Sequence, residues 1–219
     1  MKLRLVILKH HNCLAGSNRI MDSSTGAKIE LRQRERSDIP RLHDIITAVH
    51  AETGYPVDGP SCFEAFLDPP PEQLLHAITA VLVPADQQDA DREHAIAGHA
   101  MIMSPSAAGV LNPASEVHLE RGGTMENHAV LSRFFVDPAA QARGIGSRLL
   151  EEATAWAGRE GKRLVLVVLA KDEGAVRLYD RAGWVRAGEH VFTSKWGTGY
   201  NALAYLGPHR ATGYDLGPL

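Results

Sequence analysis

Residues 131–150 restrict the fold more than any other part of the chain. They read in close succession as a strand, a stop, a glycine-bearing loop and the start of a helix. Phe134, Phe135 and Val136 have the bulk that suits a strand. Asp137-Pro138 ends it, because proline has no N–H to give the ladder. After Gly146 the apolar period changes. Leu149, Leu150, Ala153, Trp156 and Ala157 fall on one face of an α-helix. Between strand and helix lies Gln141-x-x-Gly144-x-Gly146. The N–H groups of such a loop point outward at a helix N-terminus, where about half a positive charge gathers. That environment suits a phosphate, and glycines let it approach with no Cβ in the way. The spacing is neither the dinucleotide pattern G-x-G-x-x-G nor a P-loop. The plain structural alternative is a tight turn with a close helix–strand contact.

The next segments sharpen the choice. Residues 164–169 are an unbroken apolar run, as expected of a strand covered on both faces. Residues 172–184 follow as a helix. The two segments together resemble the GNAT superfamily of acyl-CoA-dependent N-acyltransferases. Gln141, Gly144 and Gly146 fill its Arg/Gln-x-x-Gly-x-Gly/Ala loop. Ala175, Leu178, Tyr179, Gly183 and Trp184 fit its later Asn-x-x-Ala-x-x-Leu-Tyr-x-x-x-Gly-Phe pattern. The resemblance covers about residues 131–188, and the order of elements upstream is compatible. Two positions depart from it. Asp172 replaces the usual Asn, although aspartate can still cap the following helix. Val130 stands where the family often has its glutamate base.

The resemblance implies an α/β (mixed α+β) fold, a single GNAT-type domain. Its central sheet is mixed but mostly antiparallel and flanked by helices, with an acyl-CoA cleft between the fourth and fifth strands. It implies an N-acetyltransferase that moves an acetyl group from acetyl-CoA to a primary amine of a small molecule or protein by direct attack. The cosubstrate's pyrophosphate would rest on the N–H groups of Ala142, Arg143, Gly144, Ile145, Gly146 and Ser147, beside Gln141. Its pantetheine arm would pair like an extra strand with Phe134, Phe135 and Val136, near Asp172 and Ala175. Tyr179 matches the tyrosine that often protonates the departing thiolate, and its ordinary pKa of about 10 suits a donor that stays protonated.

The base is open. Period two puts His128 on the face of Val130 and Ser132, with Glu126 one step further. Either could take the amine proton directly or through water, and a water chain with no dedicated base is a third route. A non-catalytic acyl-CoA-binding sensor or interaction module is the alternative function, kept alive by Asp172 and Val130. Tyr179 argues against it, since a binder has no use for a thiolate donor.

Composition sets outer limits. The 219 residues, 44% hydrophobic, suit one domain with a full core. A formal net charge of −3 is not the basic footprint of a nucleic-acid binder. Cys13 and Cys62 have no C-x-x-C spacing and read as free thiols in a reducing, cytoplasmic setting. No metal site is expected. Residues 1–26 look like a flexible extension whose apolar run is too short to cross a membrane, with Met21 as an alternative start. The acetyltransferase domain would occupy 27–219. Whether it works as a monomer or as the homodimer common in the resembled family is open.

Upstream, Ile29 to Arg32 alternates like a strand. Ser37 is placed to cap a helix with Leu42, Ile45, Ile46 and Val49 as its buried stripe. The loop 53–60 reads as an acceptor-side segment in which Tyr55 mainly packs. Strands are expected near 77–83 and 94–103, with a turn over 84–93 and a bulge at Gly98. Residues 104–121 read as a long connection with room for a short helix. Residues 185–188 and 201–206 read as late strands with a loop over 189–199 between them, and 207–219 as a tail.

Overall fold

The architecture grows from strands that pair with near neighbours and one long crossover. The computed structural model describes residues 27–83, 95–105 and 112–208. The expected extension over 1–26, the turn over 84–93 and most of the tail lie outside those residues. Strand β1 (Lys28–Gln33) pairs antiparallel with β2 (Leu74–Val83), and β2 with β3 (Ala95–Met103). Strand β3 pairs antiparallel with β4 (His128–Val136). Helix α4 (Ile145–Arg159) then carries the chain to β5 (Arg163–Leu169), which lies parallel to β4. The hairpin β6 (Val185–Thr193) and β7 (Gly199–Leu206) closes the sheet, with β7 against β5. The order is β1-β2-β3-β4-β5-β7-β6, a mostly antiparallel seven-stranded sheet. The expected fold class holds.

Helices cover both faces. On one, α4 buries Ile145, Leu149, Leu150 and Ala153 against Ile78, Ala100, Ile102, Leu131 and Leu166. Helix α5 (Glu173–Arg181) joins that face through Tyr179. On the other, α1 (Ile39–Thr53) and α2 (Phe63–Leu67) pack Leu42, Ile45, Ile46, Phe63 and Leu67 with Phe135. A short helix α3 (Pro113–Glu120) covers Val165, Ala204 and Leu206 through Ala114. Asn112 caps it, its side chain accepting the Ser115 N–H at 2.9 Å.

Three local expectations change. Ser37 does not cap α1; its hydroxyl lies on Glu35 at 3.3 Å, and Asp38 occupies the cap position. The Asp38 carboxylate instead takes two bonds from Arg32 at 2.6 and 2.7 Å, one from Thr79 at 3.0 Å and one from the Glu35 N–H at 2.9 Å. Strand β6 runs on to Thr193, so the loop read over 189–199 shrinks to a turn. Cross-strand pairs such as Phe192↔Tyr200 extend the hairpin beyond what its edge position signals. Gly98 does sit at a register irregularity, where Ala80 faces Gly98 and Val81 faces Ile96. Its larger role is contact: a Cβ there would lie 3.0 Å from Ile145 and 3.1 Å from Leu149. The missing side chain lets the start of α4 settle onto β3, which fixes where that helix begins.

Candidate active site

A wedge between β4 and β5 makes the site. The two strands pair only from His128 to Val130 against Arg163 to Val165. Beyond that point β4 is bulged relative to β3: His99 faces Phe135 but Met101 faces Ser132, so Arg133 and Phe134 oppose one residue. Arg133 adopts φ +51° there. From the bulge onward β4 is no longer paired with β5, and the strands part. The cleft between them has a volume of about 1170 Å³ and includes Ser132, Phe134 and Val136 on one side and Leu166 to Leu169 on the other.

At the mouth of the wedge the chain turns into α4. Asp137 anchors that turn: its N–H bonds to Ala97, and its carboxylate takes the Ala139 N–H at 2.9 Å and Arg41 at 2.6 Å. Ala142 and Gly144 then take positive φ of 62° and 78°. Such a backbone suits glycine at the helix cap. Arg148 is bonded to the Gly144 carbonyl. The N–H groups of Ile145, Gly146 and Ser147 therefore remain the open donors of the helix. No acidic side chain stands in that first turn. Gln141, Ala142, Gly144, Ile145, Gly146 and Ser147 line the cleft; Arg143 is exposed and outside the lining. The donor set and the absent Cβ at Gly144 fit the diphosphate of acetyl-CoA.

Tyr179 comes to the wedge from α5, wedged among Phe134, Trp184 and Tyr205 at ring distances of 6.2, 5.5 and 5.8 Å. Burial, with Tyr55 and Asp172 adding to it, pushes its phenol above the ordinary range. The phenol therefore stays protonated near neutral pH. Ala175 and Asp172 also line the cleft. Asp172 does not cap α5 through its side chain; its backbone carbonyl accepts the Ala175 and Val176 N–H groups, and Lys171 holds its carboxylate at 2.8 Å.

The two sequence candidates for the base do not face this opening. His128 lies where β4 and β5 are still zipped together. It is fully buried, its Nδ1 2.7 Å from the Thr124 carbonyl and its ring beside His118. Glu126 is exposed just before the strand, and its backbone carbonyl accepts from Lys162. Both lie before the point where the cleft opens, His128 in the paired part of β4 and Glu126 ahead of the strand. Two residues given little weight in the sequence do line the cleft. Tyr55 sits with its ring edge on Phe66, its phenol pushed up by burial and partly offset by Arg133. His190 on β6 has a buried Nδ1 with no hydrogen-bond partner among the described residues, and burial lowers its pKa. A neutral imidazole of that kind can accept a proton. Tyr55 stands in the segment read as acceptor-side, 53–60, and His190 in the span read as a loop, 189–199; only the tertiary fold says which residue of each turns inward. Among the described residues no group of three His, Cys, Asp or Glu side chains gathers for a metal, and no helix is long and apolar enough to cross a membrane.

The sequence model of the Acetyltransferase (GNAT) family matches residues 55–184, and the chain belongs to that family. The fold is similar to that of the ribosomal-protein-S18-alanine N-acetyltransferase from Escherichia coli, with a TM-score of 0.56 and 19% identity over 86% of this chain and 99% of that one. Arabidopsis thaliana NAA60 in complex with acetyl-CoA gives a TM-score of 0.55 and 17% identity over 82% of this chain and 97% of that one. In sequence, an uncharacterised N-acetyltransferase of Methanocaldococcus jannaschii is 39% identical over 57 residues, 26% of this chain and 25% of its own length. The match thus spans a quarter of that curated relative.

Proposed function

We propose that the protein transfers an acetyl group from acetyl-CoA to a primary amine by direct attack within the β4–β5 wedge. The observation that carries this reading is Tyr179, a buried phenol at the edge of a gap whose mouth ends in an open helix N-terminus. Acetyl-CoA supplies an activated acetyl thioester. The residues do the rest. The Ile145, Gly146 and Ser147 N–H groups receive diphosphate oxygens. The bulged edge of β4, at Phe134 to Val136, offers backbone groups that β5 no longer uses, and these can hold an amide-bearing arm as a strand is held. Tyr179, which burial keeps protonated at neutral pH, gives its proton to the departing sulfur and regains one from the proton the attacking amine loses as the amide forms, directly or through water. The apolar walls, Leu166, Val168, Phe134 and Val136, exclude water that would otherwise hydrolyse the thioester.

The test has two parts. Acetyl-CoA at about a hundred times its dissociation constant should add about 2.7 kcal/mol to stability, a rise of roughly 5–10 °C for a domain of this size. Tyr179→Phe should keep that rise and lower turnover at least about tenfold, near 1.4 kcal/mol of barrier. No rise in the native protein would remove the cosubstrate; full turnover in the variant would remove Tyr179 from the reaction.

A further inference from the structure

Arg133 is a half-buried cation to which the described residues give no anion. The other arginines at this end of the molecule are paired: Arg32 with Asp38, Arg34 and Arg36 with Asp68, Arg41 with Asp137. Arg133 has weaker company. Its Nη1 lies 2.9 Å from the Met103 sulfur, its guanidinium sits 5.4 Å over the Phe66 ring, and its Nε is buried with no hydrogen-bond partner. A thioether is a poor acceptor and a ring face gives only partial compensation. Burying a guanidinium this way is unfavourable, and burial does push its pKa down.

The position of that charge gives the imbalance a use. Arg133 is the bulged residue of β4, and its side chain leaves on the α1–α2 side, over Phe66. Phe134 and Val136 lie on the opposite side, with α4 and α5. Arg133 lines the cleft with Tyr55, Cys62 and Phe66, on the wall across from Tyr179 and the open start of α4. The start of α4 already has its own open donors, the N–H groups of Ile145, Gly146 and Ser147. The cation at the bulge therefore serves the other substrate.

We infer that the amine acceptor carries an oxyanion, a carboxylate or a phosphonate, and that Arg133 binds it. A guanidinium presents two parallel N–H donors that match such a group, and desolvation by the surrounding apolar walls strengthens the pairing. Binding an anionic acceptor would supply the counter-charge that the described residues do not, so free and occupied protein differ in how well this cation is matched. The inference rests on the acetyl-transfer reading.

The experiment measures initial rates of thiol release from acetyl-CoA over a panel of matched amines. It comprises free L-amino acids, their carboxamides, simple alkylamines of equal length and aminoalkylphosphonates. Native protein should favour at least one anionic class over its uncharged match by about a hundredfold or more in kcat/KM, and the carboxylate and phosphonate arms tell the two sources apart. Arg133→Met should reduce that preference to within about threefold, while acetyl-CoA still raises the melting temperature as in the native protein. Arg133→Lys, which keeps the charge without the fork, should retain part of the preference and checks that the site still folds. Acetylation confined to uncharged or purely cationic amines, or a preference that survives Arg133→Met, overturns the inference and leaves acetyl transfer standing. Loss of the acetyl-CoA shift in the native protein would instead overturn the underlying reading.

Discussion

Helices α1 and α4 are both 15 residues long, and they begin in opposite ways. The start of α1 is sealed. Asp38 stands at its cap with its side chain only 4% exposed, fixed by Arg32, Thr79 and the Glu35 N–H. Burial alone would raise the Asp38 pKa, but the Arg32, Glu35 and Thr79 hydrogen bonds together outweigh it and hold the carboxyl below its ordinary value. The start of α4 has glycine at the cap, no side-chain capping bond and no acid in its first turn. Both helices present the same positive end. Neither has a side-chain capping bond, but a buried carboxylate tied to Arg32 stands at the first, and glycine leaves the second open. A protein that spends a buried acid on one helix and leaves glycine at the other separates a structural end from a binding end.

The largest expected effect on stability lies at the sealed end. Removing Asp38 strips three partners of a hydrogen bond to a charged group, but Arg32 is 38% exposed and water can take it up, so the cost is about 2–3 kcal/mol. Asp38→Ala should therefore lower unfolding stability by about that amount in a denaturant titration and leave acetyl-CoA affinity of the folded protein unchanged. The pH dependence has a definite sign. A carboxyl held below its unfolded value contributes stability above the ordinary pKa of about 3.9 and loses it as pH falls through the folded value. The native protein should thus weaken on acidification below about pH 4 more steeply than Asp38→Ala does. Equal slopes would show that Asp38 is not the linked group.

The open end should respond in the reverse manner. Gly144→Glu puts a carboxylate where an external anion would sit, at a backbone φ of 78°. The left-handed conformation costs about 1–2 kcal/mol in a residue with a Cβ. Acetyl-CoA affinity should fall at least about a hundredfold, near 2.7 kcal/mol, in a protein that still unfolds cooperatively. Calorimetric binding reads the first effect and a melting curve the second. Unchanged affinity would mean that this loop does not hold phosphate.

What the sequence discloses about these regions follows from how local each one is. The glycine loop, the α4 stripe and Tyr179 are legible because each is set by residues within a few positions of one another. Strand β5 follows from an apolar run after a helix. The seal at Asp38 needs Arg32 and Thr79, which come from two different strands, so Ser37 looked the better cap. The depth of His128 depends on where β4 and β5 stop pairing, and the exposure of Arg133 to the cleft depends on a bulge against β3. Neither has a signature along the chain. His190 and Tyr55 enter the cleft because the β6–β7 hairpin and the α1–α2 connection fold over it. A sequence marks such segments as loops without saying which side chain turns inward.

The smallest effect gives the sharpest form of the comparison, because stability and binding should move in opposite directions. Ser147 is exposed in the first turn of α4. An aspartate there would set a carboxylate against the open N–H groups of α4, at the surface and without a buried network. An acid in a first turn typically adds about 0.3–1 kcal/mol at low salt. Ser147→Asp should raise the melting temperature of the free protein by roughly 1–4 °C at this chain length. It should also weaken acetyl-CoA by about tenfold, because the diphosphate now meets a like charge and a dipole already satisfied. Both effects should shrink together as salt is raised, since an exposed charge is screened over about 10 Å at 0.1 M. A variant that is stabilised with no loss of affinity would place the diphosphate away from α4. A variant weakened in both properties would mean that Ser147 is needed for the local fold. Only the opposed signs identify an end kept open, at a small penalty in stability, for an anion that arrives from solution.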